Sequence, residues 1–229
     1  MDLCLESKAG TQEICGADEK RLTYPKLFWI FMLGSVMGFF LEGIWCVMLD
    51  GHWEDHRATV WGPFCVVYGF GALAIYIAAV LLKKQKPVVQ FLGCALAGSL
   101  VELMAGVFQN VCFGTSSWDY SHHALNLAGH ISLQQSLIWG GLGIVFMRVM
   151  LPGLERLLAS MRGRGWMLAC RVLSLYMAVN LLVSCAAFDR WEARHEGIEP
   201  RNRVESGIDE LYHDARMQQL FPNWSFLSE

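Results

Sequence analysis

Five apolar stretches, each long enough to cross a bilayer, constrain this chain more than any other feature. They occupy residues 27–49, 64–82, 90–113, 131–151 and 166–188. A helix crossing the hydrocarbon core needs about 20 mostly apolar residues. Lipid offers no partners to backbone amides, so each stretch is expected to be helical. A spanning strand would need a closed barrel and an alternating pattern that the sequence lacks. The expected fold is an all-α polytopic membrane bundle of about five transmembrane helices. Residues 1–26 form a polar N-terminal segment, 27–188 the membrane domain and 189–229 a polar tail.

Composition agrees with this reading. The chain is 54% hydrophobic and 17% charged, where a soluble domain carries about a quarter charged residues. Such a balance excludes a disordered chain. The net charge is -3, and Lys and Arg sit in small clusters beside apolar stretches, so the lipid bilayer is the expected partner and nucleic acid is not.

The basic clusters report topology. Lys83, Lys84 and Lys86 follow the second stretch, and Arg156, Arg162 and Arg164 follow the fourth. By contrast, the first connector holds only Arg57 and the third holds neither Lys nor Arg. The positive-inside rule then places the N-terminus in the cytoplasm, and five crossings put the C-terminus outside. Arg190 and Arg194 after the fifth stretch, with Arg171 inside it, leave open a surface helix and a cytoplasmic tail. The first 26 residues contain no apolar h-region of a cleaved signal, so the first stretch is expected to be an uncleaved anchor.

Two acids lie inside spans. Glu42 and Glu102 each follow a glycine, Gly38 and Gly98, by four residues. A carboxylate at bilayer depth costs about 2.5 kcal/mol or more unless paired, protonated or hydrated. The four-residue spacing puts each glycine and its acid on one helix face, where another backbone can approach. The recurrence hints at a parallel two-plus-two repeat with a fifth helix added. The acids could face a common polar interior and handle a cation or protons; alternatively, each accepts hydrogen bonds and fixes packing.

Other features offer weaker chemistry. The third connector, Trp118-Asp119-Tyr120-Ser121 through Asn126-Leu127, reads either as a lid over the acids or as a capped turn. His52 and His56, with Glu54 and Asp55 between them, and His122 and His123 are weak metal candidates, and the HExxH order is absent. Eight cysteines are scattered without CxxC spacing; Cys46, Cys65 and Cys112 fall near one membrane face, where a disulfide is conceivable. Ser206 and Asp209 could form a capping box for a short amphipathic tail helix ended by Pro222, lying on the membrane or against the bundle. No GxxxxGK(S/T) phosphate loop and no GxSxG elbow is present, so no enzyme activity and no cofactor are expected, and any ATP-driven function needs a separate ATPase subunit.

Ordered motifs resemble a known family. They are Gly38-x-x-x-Glu42-x-x-Trp45, Gly62-Pro63-Phe64-Cys65 with Tyr68-Gly69-Phe70-Gly71, Glu102, Trp118-Asp119-Tyr120-Ser121 with Asn126-Leu127 and Gly129, and Ser136 with Trp139-Gly140. The tail adds Tyr212-His213-Asp214-Ala215-Arg216-Met217 and Phe221-Pro222-Asn223. Together they resemble the CmpB-type ABC-transporter permease family of small bacterial membrane proteins. Val66 and Ala124 stand where that family usually has proline.

The resemblance implies a permease-like transport protein of the bacterial inner membrane, with a separate ATPase as partner. Glu42, Glu102, Trp45, Tyr68, Asn126 and Asp119 are the residues expected to line a substrate or ion path. Five helices enclose little polar volume, so a homo- or hetero-oligomer is expected. Two alternatives stand beside it: a proton- or cation-coupled transporter or channel using the same acids, and a membrane scaffold or metal sensor.

Overall fold

The computed structural model describes residues 22–161 and 163–227; the segment bearing Lys8, Lys20 and Arg21, and Arg162 as well, lie outside the described residues. It is an all-α bundle with a few two-residue strands. Helix α1 is Tyr24–Asp50, α2 Val66–Leu82, α3 Pro87–Phe113, α4 Leu133–Val145, α5 Leu151–Ser160 and α6 Arg164–His195, followed by α7 Arg203–Leu211 and α8 Asp214–Leu220. Strands β1 (Thr115–Ser116) and β4 (Ser225–Phe226) pair antiparallel, as do β2 (Asn126–Leu127) and β3 (Ile131–Ser132).

Four helical stretches are long and apolar enough to cross a membrane: Tyr24–Asp50, Pro87–Phe113, Leu133–Ser160 and Arg164–His195. The 17-residue α2 is shorter, at the lower limit of about 17 residues for a crossing. Prolines and glycines set the boundaries of the long helices. Pro25 and Pro87 sit in the first turns of α1 and α3, where a missing N–H costs nothing. Gly51 (φ 76°) and Gly114 (φ 54°) end these helices in the left-handed region, their amides bonding Val47 O and Asn110 O.

The fourth stretch runs further than the expected 131–151. It continues from α4 through a π-helical turn, Phe146–Met150, into α5 and ends at Ser160. Pro152 explains the turn: it lacks an amide donor and its ring crowds the carbonyl four residues back, so the ladder widens locally instead of breaking. The fifth stretch likewise overruns its expected end at 188 and stays helical to His195.

The pattern of exposure is the one expected of a lipid-facing surface. On α6, Leu168, Val172, Leu175, Val179 and Leu182 form one exposed stripe at alternating spacings of four and three. A helix apolar on every side is what a lipid environment selects.

The tail does not lie apart. Tyr212, Met217 and Phe221 are buried with Val60, Phe113, Phe188 and Trp191. The tail therefore rests against the bundle at the end carrying the first and third connectors. Arg190, 3% exposed, donates to Asp209 Oδ1 at 3.0 Å and Oδ2 at 2.7 Å, and Arg194 also binds Asp209 and Asp214.

The tail helix begins earlier than expected and is broken in two. Asn202, not Ser206, caps α7: its Oδ1 accepts from the amides of Val204 and Glu205 at 3.0 Å, and Glu205 accepts from the Arg201 amide at 2.7 Å. Asn competes as well as Ser for such a cap, and Glu205 supplies the acid at the third helical position. Helix α8 ends at Leu220, before Pro222. Cys46, Cys65 and Cys112 are all free thiols, so the conceivable disulfide does not form.

Candidate functional site

Glu42 and Glu102 belong to one acid–aromatic cluster. Gly38 removes the side chain that would bar α2 from α1: a Cβ there would lie 2.2 Å from Tyr68 Cβ. Tyr68 consequently seats against α1, and its hydroxyl donates to Glu42 Oε1 one turn further along. The same construction recurs between α3 and α4. A Cβ on Gly98 would come within 2.4 Å of the Trp139 indole, and Trp139 Nε1 donates to Glu102 Oε2 at 3.0 Å.

The two halves meet through their aromatic rings. Tyr68 and Trp139 lie with ring centroids 5.9 Å apart. Each glycine–acid pair thus receives one aromatic donor from the following helix, and the two donors pack against each other. Glu102 is 7% exposed; Glu42 is half-buried.

The third connector reaches into this cluster. Tyr120 donates its hydroxyl to Glu102 Oε1 at 3.0 Å while accepting from Gln135 Nε2 at 2.8 Å. Burial raises the Tyr120 phenol above its ordinary range, and the negative charges of Glu102 and, more weakly, Glu42 raise it further. The hydroxyl therefore stays protonated and remains a donor. Nearby, Ser99 donates to Ser136 at 2.7 Å across the same helix pair.

Chemically, the cluster holds two carboxylates and three neutral donors, Tyr68, Tyr120 and Trp139. Such a site can keep a proton or accept a cation when a donor swings away. A family model described as "Putative ABC-transporter type IV" matches residues 29–185, more than half of the chain and every residue of this cluster. The chain belongs to that CmpB-type family. No curated protein and no solved structure matches it. As a member of the CmpB-type family it is an apolar-helical, ABC-transporter-related protein.

Other family landmarks lie outside the cluster. Trp45, 57% exposed, faces outward from α1. Asp119 makes an Asx turn, accepting from the Ser121 amide at 2.8 Å and from its hydroxyl, and these bonds hold its carboxyl below the usual range. Asn126 staples the same loop, donating to Ser121 O and His123 O and accepting from the Gly129 amide at 3.1 Å. Both residues shape the loop that presents Tyr120.

The candidate metal histidines separate. His52 contacts Asp50 O, and His122 stacks edge-on against His123. His56 alone among these four joins other ligand types, meeting Cys46 and Glu54. Asn180, which no motif singles out, lies buried on α6 and brackets Trp61 of the first connector by accepting from its amide at 3.2 Å and donating to its carbonyl at 2.8 Å. An amide inside an apolar span was the available signal. Trp139 and Tyr120 were noted only as landmarks, because their pairing with Glu102 depends on how the helices cross.

Proposed function

We propose that this chain is a permease-like membrane subunit whose intramembrane site is the Glu42–Tyr68–Trp139–Glu102 cluster, with the third connector acting as its lid. The carrying observation is Tyr120: a residue from a connector, not from a span, caps the buried Glu102. Swinging the loop away would free an acceptor on a carboxylate that has little other access to polar partners. Burying an acid and then supplying it with a removable donor suits a site that is opened and closed.

The tail and the first and third connectors share one end of the bundle, and Lys83, Lys84 and Lys86 after α2 lie toward the other, as does Arg164 at the start of α6. By the positive-inside rule the basic end is cytoplasmic in a bacterial inner membrane, and an ATPase would dock there. Purification of the chain from its native membranes in mild detergent tests this: a nucleotide-binding subunit with a phosphate loop is expected to copurify. Its absence, together with uptake unaffected by ATP depletion, would overturn the ABC assignment.

A second reading is favoured by Glu42, whose half-buried carboxylate accepts at Oε1 from Tyr68. In that reading the acids take up protons or cations unaided. Proteoliposomes of the purified chain alone, carrying a pH-sensitive dye, distinguish the two. Flux lost in Glu102→Gln and Glu42→Gln supports it, and equal flux in wild type and both variants refutes it.

A further inference from the structure

We propose that Cys46, Glu54 and His56 form a divalent-metal site, suited to zinc, at the end of α1 beneath the tail. Cys46 lies one turn before the end of α1, and Gly51 reverses the chain so that the first connector returns over it. The result brings Cys46 Sγ to 3.2 Å from His56 Nε2, His56 Nε2 to 3.6 Å from Glu54 Oε2, and Cys46 Sγ to 4.0 Å from the same Glu54 oxygen.

These separations lie close to those of a coordination shell, and small side-chain shifts would close it. Zinc bonds of roughly 2.0–2.3 Å at tetrahedral angles put sulfur, nitrogen and oxygen ligands about 3.4–3.6 Å from one another. The three observed distances bracket that range. A thiolate, an imidazole and a carboxylate together suit zinc better than magnesium or calcium, which favour oxygen alone, and three protein ligands leave a fourth position for water. Asp55 is not available as a ligand because Arg57 Nε holds both of its oxygens, at 2.9 and 2.8 Å.

The other face of His56 supplies an independent observation. Asn223, from the tail, has its amide nitrogen 3.4 Å from His56 Nδ1, while its Oδ1 is buried without a hydrogen-bond partner among the described residues. The two ends of an amide are nearly isosteric. If Asn223 turned over on metal binding, its oxygen would accept from the Nδ1–H of His56, the tautomer whose Nε2 lone pair faces Cys46 and Glu54. A histidine ligand is commonly oriented by such a partner on its second nitrogen.

A Cys–His nucleophile pair explains this arrangement less well. Glu54 converges on the same ring nitrogen as the thiol, and a carboxylate there opposes thiolate formation unless a cation sits between them.

The test uses the tag-free full-length protein in detergent, stripped of metal and titrated with zinc or cobalt(II). One equivalent is expected to bind, with a cobalt–thiolate charge-transfer band. Cys46→Ser and His56→Ala should abolish the band, and Asn223→Ala should weaken binding about 10- to 100-fold while keeping the stoichiometry. A second measurement needs no variant: zinc should protect Cys46 of the wild type from iodoacetamide, followed by peptide mass spectrometry, and a chelator should restore its reactivity. Substoichiometric metal, or a band surviving Cys46→Ser, would overturn the site. So would rapid alkylation of Cys46 that zinc does not slow, which would mark it as a nucleophile beside His56.

Discussion

Trp139 donates its indole N–H to Glu102 at 3.0 Å across the seam between α3 and α4, directly over Gly98. The bond satisfies a carboxylate that lipid could not, and the glycine makes room for the ring that delivers it. Removing the donor while keeping the ring isolates the hydrogen bond. Trp139→Phe is expected to cost about 1–3 kcal/mol, because Glu102 Oε2 is left buried without a partner. Denaturant titration of the protein in mixed micelles checks this; an unchanged midpoint would mean that water replaces the indole.

Gly98→Ala tests the close approach itself. Alanine in a helix gains about 1 kcal/mol over glycine in propensity. Here its Cβ would fall 2.4 Å from the Trp139 ring, an overpacking that costs about 1–3 kcal/mol and pushes α4 away from α3. Net destabilisation with quenched or red-shifted Trp139 fluorescence is the expected outcome, measured in a background where the other tryptophans are replaced. Stabilisation would show that the seam opens without cost.

The tail is predicted to loosen in acid. Arg190, followed by Arg194, holds the Asp209 carboxyl below its ordinary range, which lies near pH 3.9, about the unfolded value. A depressed folded-state pKa contributes stability above the unfolded value, and that contribution disappears as the pH falls through the folded one. Hydrogen exchange of α7 and α8 should therefore be flat from neutral pH down to the ordinary carboxylate range and rise below it, once corrected for intrinsic exchange. Asp209→Asn leaves Arg190 buried with less compensation and is expected to cost roughly 3 kcal/mol at neutral pH.

In the third connector, Ala128 adopts a left-handed backbone, φ 52°. That conformation costs a residue with a Cβ about 1 kcal/mol or more, and glycine almost nothing. Ala128→Gly is expected to steady the loop by several tenths of a kcal/mol to about 1 kcal/mol, allowing for the extra freedom glycine gives the unfolded chain. Slower proteolysis in the loop would show it; faster cleavage would mean that the unfolded-state entropy wins.

The number, type and approximate place of the helices were legible because a bilayer leaves a polypeptide few options: an apolar run of sufficient length must satisfy its own amides. The two acids stood out for the same reason, since nothing but function or a specific partner keeps a carboxylate at that depth. Local rules did less well at the ends. The Asn202 cap displaced the Ser206 one because both sequences fit a capping pattern and only packing of the tail on α6 selects between them. The helix extends past residue 151 through Pro152, which ordinarily signals a stop and here is absorbed by a π-helical turn.

Sequence alone determined that this chain is an apolar-helical bundle carrying Glu42 and Glu102 four residues beyond small neighbours, because period and hydropathy are local properties. Only the tertiary structure decided which donors those acids receive, that Tyr120 comes from a connector to reach one of them, and that Cys46, Glu54, His56 and Asn223 converge from three parts of the chain. Those meetings are set by helix crossings and chain reversals, which no spacing in the sequence encodes.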